Sequence, residues 1–285
     1  MDSLLDKETC VAFCSYLNNA DKCIKSTWKN SIVAGCPFAG FIYPGYSCAD
    51  TVGSSLTHVM SGNVAHSNDG SGLVLYPDQN ILSAVKDCFQ GSDFKGYKNN
   101  GSSVATFFNS NEVRFSNLVS VDNVKGVSLM VGLETDFEKK MKLSNSFIYG
   151  ESTTLAKDCP DGSGSATGAN CECPDKMGVM SFGTATGSKH ADWHIPGASK
   201  RPIHKIKSYA TWISTGFLDN VQISNFNSAT SACGSRQTAF AVNEYQADHV
   251  PIHNLNAIKF TNVAYDAVIY IFNPPQGWAV IDDCG

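Results

Sequence analysis

The amino-acid sequence predicts an all-β protein and, within that class, a right-handed parallel β-helix. Most of the chain consists of short β-branched or aromatic runs broken by Gly, Asn, Asp and Ser, which is the pattern of strands and turns. One unit also recurs: a strand, an asparagine at a bend, apolar residues, a glycine-bearing turn and a second strand. A single coil of this kind cannot bury its inner face, so the coils are expected to stack.

The spacing of asparagine and glycine is the observation that favours a β-helix. In the three clearest copies, Asn30, Asn63 and Asn117 precede a glycine by nine or ten residues. Weaker copies of the unit surround three further asparagines, Asn145, Asn225 and Asn262. Asparagine tolerates the left-handed conformation of a bend, and its side chain can bond to the next coil, so an asparagine ladder is predicted. A β-sandwich with asparagine in its turns is the alternative.

The chain divides into four regions. Residues 1–24 form a cysteine-containing N-terminal segment, in which the 3.6-residue period of residues 3–17 allows a short helix. Residues 25–151 are predicted to be β-helix coils, and the coils continue through residues 190–285. Between them, residues 152–189 are rich in Gly, Ser and Thr, which predicts a long loop insertion pinned by a disulfide.

The composition excludes several classes of function. Only 16% of the 285 residues are charged, against about 25% in an average domain, and the net charge is -5. The absence of a basic excess argues against a nucleic-acid partner. No apolar run approaches the roughly 18 residues of a membrane span, so no span is expected in this segment. The chain is also too apolar and aromatic for disorder.

The cysteines predict disulfides and an oxidising compartment. There are eleven, and most lie in polar, glycine-containing loops. All eleven are disulfide candidates: Cys10, Cys14, Cys23, Cys36, Cys48, Cys88, Cys159, Cys171, Cys173, Cys233 and Cys284. Cys36 with Cys48, and Cys159 with Cys171 or Cys173, are pairs that proximity favours, while the connectivity stays open.

Further features indicate a segment of a longer, secreted or surface-exposed chain. The cysteine count is odd, residues 1–20 show no signal peptide, and Cys284 stands next to the last residue. Asn100 begins an N-glycosylation sequon in a polar turn, which is consistent with secretion. The alternative is a cytosolic protein with free, buried thiols.

His190, Asp192 and His194 are the strongest candidates for chemistry. In a strand, alternate side chains share a face, so these three side chains would project together. Two imidazoles and a carboxylate could bind a divalent metal or act as general acid and base, with His204 as a further catalytic candidate. The alternative is a stretch that leads from the loop back into a coil with its polar side solvated.

An oxygen-rich loop is the second candidate site. Asp158 and Asp161, with Ser163 and Ser165, could hold calcium, although the loop lacks the full spacing of an EF-hand. The cysteines lack the C-x2-C pairs of structural zinc sites, and no nucleotide-binding loop or nucleophile elbow is present. We therefore expect no cofactor, with calcium left open at this loop.

Several stretches resemble one extracellular family. They are residues 28–36 (WKNSIVAGC), 63–67 (NVAHS), 221–226 (VQISNF), 260–263 (FTNV) and the closing 282–285 (DDCG). They are similar to coils of the family that contains fibrocystin-L and the cell-surface and secreted hyaluronan-degrading proteins, with many protist-type homologues. The resemblance implies a pectin-lyase-like β-helix within a larger surface protein, and a ciliary or flagellar surface is among the expected locations. It transfers no active site, because the family's upstream glycine-rich domain has no counterpart here.

These observations predict a non-catalytic extracellular or cell-surface β-helix segment. Its expected role is structural, adhesive or filament-building, and its expected partners are other segments or copies of a surface assembly, or an extracellular polysaccharide. The alternative is an enzyme that degrades an extracellular glycan as a hydrolase or lyase, with residues 190–204 at its centre. The fold alone does not separate the two functions.

Overall fold

A computed structural model describes the residues from which the fold is built. They are residues 9–12, 27–37, 39–43, 59–75, 89–106, 113–129, 141–152, 176–182, 216–231, 236–243 and 253–272. Over these ranges the chain is all-β, apart from two short 3-10 helices at Ser228–Thr230 and Tyr265–Ala267.

The strands form parallel sheets that wind around a common core, which is consistent with a parallel β-helix. One sheet has eight strands and is here called face three. Its edge strand is β1 (Thr9–Ala12). Its other strands are β4 (Ala39–Tyr43), β7 (Ser71–Leu75), β10 (Ser102–Thr106), β13 (Lys125–Leu129), β15 (Lys176–Phe182), β17 (Gln237–Asn243) and β20 (Ile269–Phe272).

The second sheet has twelve strands and bends in the middle, which divides it into two faces. Face one consists of β2 (Thr27–Lys29), β5 (Val59–Ser61), β8 (Phe89–Ser92), β11 (Val113–Ser116) and β18 (His253–Asn256). Face two consists of β3 (Ile32–Ala34), β6 (Val64–His66), β9 (Lys95–Tyr97), β12 (Val119–Val121) and β19 (Lys259–Val263). Two long strands, β14 (Met141–Tyr149) and β16 (Gly216–Phe226), run through both faces.

The chain passes through the three faces in order, and every strand pair is parallel. Each pass contains one segment without insertions, here called the eight-residue block. The block starts at the inward residue of face one. Its third residue has positive φ and forms the bend into face two. Its eighth residue forms the bend from face two towards face three. The seven blocks are residues 28–35, 60–67, 91–98, 115–122, 143–150, 218–225 and 255–262.

Two bends five residues apart give the block its shape. At the first bend, between faces one and two, the backbone is left-handed in every pass, for example at Asn117 with φ 56° and at Asn220 with φ 52°. At the second bend, between faces two and three, it is left-handed at Asn225 and Asn262 among others. Asparagine is the residue after glycine that adopts this conformation most readily, which explains its recurrence in the sequence.

The core lies between the three faces and is formed by columns of inward side chains. Phe115, Leu143 and Leu218 stack from face one, while Ile148 and Ile223 stack from face two, and all are at most 3% exposed. On face three, small residues let the sheet approach face two. A Cβ atom on Gly126 would lie 2.6 Å from Ile148 Cγ2, closer than real Cβ contacts.

The structure corrects three expectations. Thr9–Ala12 form strand β1 instead of part of a helix, because they pair with β4 at the edge of face three. Cys36 bonds to Cys10 and not to Cys48, because β1 brings Cys10 to a Cα–Cα distance of 5.6 Å. The predicted loop of residues 152–189 contains strand β15, whose Val179 is buried between β13 and β17.

Candidate functional site

The residues that the sequence put forward for chemistry lie outside the described part of the chain. These are His190, Asp192, His194 and His204, the calcium candidates Asp158 and Asp161, and the nine cysteines other than Cys10 and Cys36. Among the residues that the structure does describe, no group of three His, Cys, Asp or Glu side chains could hold a metal ion. Asn100 lies exposed in the turn between β9 and β10, where a glycan could be attached.

Faces one and two present the accessible outer side of the coils. On face three, by contrast, every residue of β7 and β10 is buried on both sides of the sheet. We therefore define the outer surface as the outward side chains of faces one and two, together with the first bend between them. Because coils stack about 4.8 Å apart, each outward position becomes a row that runs along the coil axis.

Face two carries aromatic and aliphatic side chains on its outward side. The rings of His66 and Tyr97, from neighbouring coils, stack at a centroid distance of 4.6 Å with 4° between their planes. Further along face two, Tyr149 lies in the same outward row as His66 and Tyr97, and Phe147 lies in the neighbouring row. The ring centroids of Phe147 and Tyr149 are 5.6 Å apart. At the first coil Ile32 is 69% exposed. Because the rings of His66 and Tyr97 face each other, this aromatic strip presents ring edges to a partner, at low cost in side-chain entropy.

Face one carries a polar row beside the first bend. Ser61, Ser92, Ser116, Ser144 and Asp219 occupy equivalent outward positions in successive coils. The hydroxyl of Ser92 donates to Ser61 Oγ at 3.0 Å, which shows that the side chains of neighbouring coils reach one another. Face one therefore presents hydrogen-bonding groups where face two presents aromatic rings.

The first bend adds a carboxylate that accepts bonds from several neighbours. Asn117 donates through Nδ2 to Asp93 Oδ1 at 2.9 Å, and Ser61 donates through Oγ to Asp93 Oδ2 at 3.2 Å. The bond from Asn117 is the largest cause that holds the pKa of Asp93 below its ordinary value, with smaller contributions from Ser92, Ser61 and the charge of Lys95. Asp93 is thus a fixed negative charge on the outer surface.

The residue that follows the second bend is buried in three coils, where it forms an asparagine ladder. Asn68 donates through Nδ2 to Asn99 Oδ1 at 2.7 Å, and Asn99 donates through Nδ2 to Asn123 Oδ1 at 2.8 Å. The three side chains are at most 3% exposed. The first-coil end of the ladder is Cys36, whose backbone N–H donates to Asn68 Oδ1 at 2.9 Å. This ladder satisfies backbone groups inside the fold and is not available to a ligand.

Two lysines are buried near the second bend. Lys125 is 1% exposed and Lys176 is 4% exposed. Burial lowers the pKa of Lys176, and the carboxylates of Asp122 and Glu151 oppose that shift because they stabilise the charged ammonium. Asp122 in turn accepts the backbone N–H of Ser152 at 2.6 Å. Lys176, Asp122 and Glu151 therefore lie close together beside the turn and not in the outward rows of faces one and two.

The outer surface combines stacked aromatic rings with hydrogen-bonding groups in regular rows. It offers stacked rings, hydroxyls and amides in rows, and carboxylates at Asp93 and Asp219. Sequence reasoning missed His66 and Tyr97 because 31 positions separate them and only the coil register joins them. The only sequence signal for this contact is that His66 and Tyr97 occupy the same position in two copies of the repeated unit.

Comparisons with known proteins do not add a relative from which a function could be transferred. The chain matches no family model, no curated protein and no solved structure. Over the part of the chain that the structure describes, none of the helices is long and apolar enough to cross a membrane.

Proposed function

We propose that this chain is a non-catalytic β-helix segment of a larger extracellular or cell-surface protein, with a structural and adhesive role. The proposal includes a right-handed, pectin-lyase-like coil and membership of the family of fibrocystin-L and the cell-surface hyaluronan-degrading proteins. The observation that carries it is the regular outer surface, which runs along seven stacked blocks without a converging set of catalytic groups among the described residues.

The disulfide supports the extracellular part of the proposal. Cys10 and Cys36 join β1 to the first coil, and such bonds persist in oxidising compartments. Exposed Asn100 is placed where a glycosyltransferase could reach it. A structural role is supported by the parallel register, because each added coil extends the same rows and the same core.

The adhesive role is supported by the strip on face two. His66 and Tyr97 stack on the outer side of face two, and Ile32 nearby is 69% exposed. Since monomeric proteins seldom expose a group of large apolar side chains to water, such a group indicates a contact surface. Lys95 lies two residues before Tyr97 in the same strand, in the outward row that contains Ile32, and supplies a positive charge. A surface with rings, an ammonium and adjacent hydroxyls could hold an extended polymer or a protein strand.

Intact mass of the protein from its native source, with and without reduction, tests the extracellular proposal. We expect the mass to exceed 30.6 kDa, to include a glycan at Asn100 and to show the Cys10–Cys36 bond, and we expect surface labelling of intact cells to reach the protein. A natural chain near 30.6 kDa with all thiols free, found only inside cells, would overturn the proposal.

The adhesive role is tested by coating beads with this protein and counting the beads that bind to the native cells or matrix. His66→Ala with Tyr97→Ala should weaken adhesion by about tenfold, since the two lost ring contacts with the partner need contribute only about 1.4 kcal/mol together. Ser116→Ala, in the polar row, is the matched control and should change adhesion little. Equal adhesion of all three proteins would show that face two is not the contact surface. Release of new reducing ends from a polysaccharide would favour the glycan-degrading alternative.

A further inference from the structure

The outward side of face two is far less polar than that of face one. Through the first five coils it consists of two rows. The row nearer the first bend contains Ile32, Val64, Lys95, Val119 and Phe147, and the row nearer the second bend contains Ala34, His66, Tyr97, Val121 and Tyr149. Lys95 is the one lysine, arginine or carboxylate among these ten residues, here called the face-two strip. Face one carries serines, Arg114 and Lys142 on its outward side instead.

The face-two strip is placed where a flat partner can reach it. Face two lies between two bends, so faces one and three turn away from it on either side. In the second to fourth coils, only three or four residues join face two to face three, namely residues 67–70, 98–101 and 122–124. Within the strip Ile32 is 69% exposed and Tyr97 is 37% exposed. Two sheet faces of this kind pack about 10 Å apart with their side chains in contact.

The chemistry of the strip favours an apolar protein sheet over a polysaccharide as its partner. A sugar chain needs hydrogen-bonding groups along its length, and six of the ten side chains in the strip are purely aliphatic or phenyl. The hydroxyl of Tyr149 already accepts a bond from Asn225 Nδ2. An exposed apolar sheet face is matched by another such face, and the strip itself is a surface of that kind. A contact between two copies through the same surface is the commonest way in which proteins form oligomers.

We infer that two copies of this chain pack face two against face two, around a two-fold axis parallel to the coil axis. This inference rests on the proposed function in one respect, because it names a partner for the adhesive surface. Such an axis sets each coil opposite the same coil of the second copy and reverses the strand direction, so each row meets the other row. Ile32, Val64, Val119 and Phe147 then lie opposite Ala34, His66, Val121 and Tyr149 of the second copy.

The lysine in the strip decides between the possible two-fold axes. With the axis along the coils, Lys95 lies opposite Tyr97 of the second copy, whose hydroxyl can accept a hydrogen bond from the ammonium group. With an axis parallel to the strands through the third coil, each row would meet itself and Lys95 would lie opposite Lys95. Like charges placed opposite each other in an interface are strongly unfavourable. In the last coil, the inferred axis sets Lys259 opposite Thr261, so no like charges meet there either.

Sedimentation velocity of the full chain, measured over a wide range of concentrations, tests the inference. The strip is smaller than the roughly 20–30 residues that each partner contributes to a standard interface, so we expect a weak dimer. Because a two-fold contact closes on itself, association should stop at the dimer. A glycan at Asn100 would stand close to Tyr97 in sequence and in the same coil, so the protein is measured before and after enzymatic removal of N-linked glycans. A dimer in either form supports the inference.

A pair of variants at Tyr97 gives the decisive result. Tyr97→Lys and Tyr97→Glu both remove the ring, but the first sets a lysine opposite Lys95 of the second copy and the other sets a carboxylate there. We expect Tyr97→Lys to weaken the dimer by about tenfold or more, and Tyr97→Glu to associate at least about tenfold more tightly than Tyr97→Lys. Adding Lys95→Glu to Tyr97→Lys should restore the dimer. Gln90→Lys adds the same charge at an exposed position of face one and is the matched control, which should associate like the unchanged chain.

Three results would each overturn the inference: a chain that stays monomeric at every concentration in both glycan forms, species that grow beyond a dimer, or equal association of the two Tyr97 variants. Thermal unfolding of each variant confirms that it keeps the fold, as expected for a side chain that is 37% exposed. The proposed function fails or stands separately. If no dimer forms while His66→Ala with Tyr97→Ala still reduces the binding of beads to native cells, the adhesive surface has a different partner.

Discussion

The two bends of each coil use the same residue type for different purposes. At the first bend, Asn117 and Asn145 adopt positive φ and expose their side chains. At the second bend, Asn99 and Asn123 follow the left-handed residue, are buried, and bond to each other. At the first bend, asparagine supplies the left-handed backbone and exposed side-chain bonds, such as Asn220 Nδ2 to Asn145 Oδ1 at 2.7 Å. After the second bend, asparagine instead satisfies buried groups. The difference teaches that exposure, and not residue identity, sets what each asparagine contributes to stability.

Replacement of a buried ladder residue should give the largest effect. Asn99→Ala removes the acceptor of Asn68 Nδ2 and the donor to Asn123 Oδ1, so two buried amides lose a partner. At about 1–3 kcal/mol for each unsatisfied group, we expect the free energy of unfolding to fall by about 4 kcal/mol. Denaturant unfolding measures this. If Asn99→Ala lowered the free energy of unfolding no more than Asn117→Ala does, the proposed difference between the two bends would be wrong.

Removal of the disulfide should give the next largest effect. Cys36 occupies the ladder position in the first coil, and its bond to Cys10 spans 26 residues. Replacing both cysteines by alanine should lower the free energy of unfolding by about 3 kcal/mol, because the unfolded chain gains freedom. Under reducing conditions the variant and the unchanged chain should unfold alike. A difference that persists after reduction would indicate that the cysteines act through packing.

Substitution at the exposed first bend should have a smaller effect that depends on the replacing residue. Asn117 has φ 56°, a conformation that costs alanine about 1 kcal/mol. Asn117→Ala should therefore lower the free energy of unfolding by about 1 kcal/mol, while Asn117→Gly should leave it nearly unchanged. Thermal or denaturant unfolding of both variants tests the role of the backbone. Equal losses in the two variants would assign the effect to the lost side-chain bond instead.

The smallest expected effect is on the titration of Asp93. Because Asn117 supplies the largest cause of its lowered pKa, Asn117→Ala should move the pKa of Asp93 up towards 3.8, as seen by NMR titration. A carboxyl whose pKa is depressed by folding stabilises the protein above its unfolded pKa, and that contribution disappears as pH falls through the folded pKa. In the variant this acid dependence should shrink. If the pKa of Asp93 stayed unchanged in the variant, the hydrogen bonds from Ser92 and Ser61 would be enough to hold it low.

The repeated unit in the sequence was enough to predict an all-β chain with stacked coils and an asparagine ladder. The prediction succeeded because positive-φ positions and inward apolar residues are local requirements that each coil must meet by itself. Of the three asparagines singled out from spacing, Asn30 and Asn117 do lie at positive φ, whereas in the coil of Asn63 the left-handed residue is Gly62. Two of the predicted asparagines, Asn225 and Asn262, bond to each other at 2.8 Å, and Asn145 accepts a bond from Asn220. The buried ladder of Asn68, Asn99 and Asn123 was not expected; it arises because two bends five residues apart both favour asparagine.

The candidate surface was less predictable than the fold. His66 and Tyr97 stack because strands β6 and β9 pair in one register, and a shift by one residue would turn both rings to the core side. Strand β15 was missed because it lies within a segment rich in Gly, Ser and Thr, and only its pairing with β13 and β17 marks it as a strand. Such features depend on which coils become neighbours, and the connecting segments differ too much in length for the sequence to show it.

The sequence by itself determined the local elements: short strands, left-handed bends and a polar, weakly charged exterior. These follow from backbone sterics and from the alternation of apolar residues. The tertiary structure alone decided the pairing of Cys10 with Cys36, the burial of one asparagine set, and the exposure of Leu255 and Phe260 at the last coil. The physical reason is that these properties belong to contacts between coils, whose partners are distant in sequence and are fixed only when the coils stack.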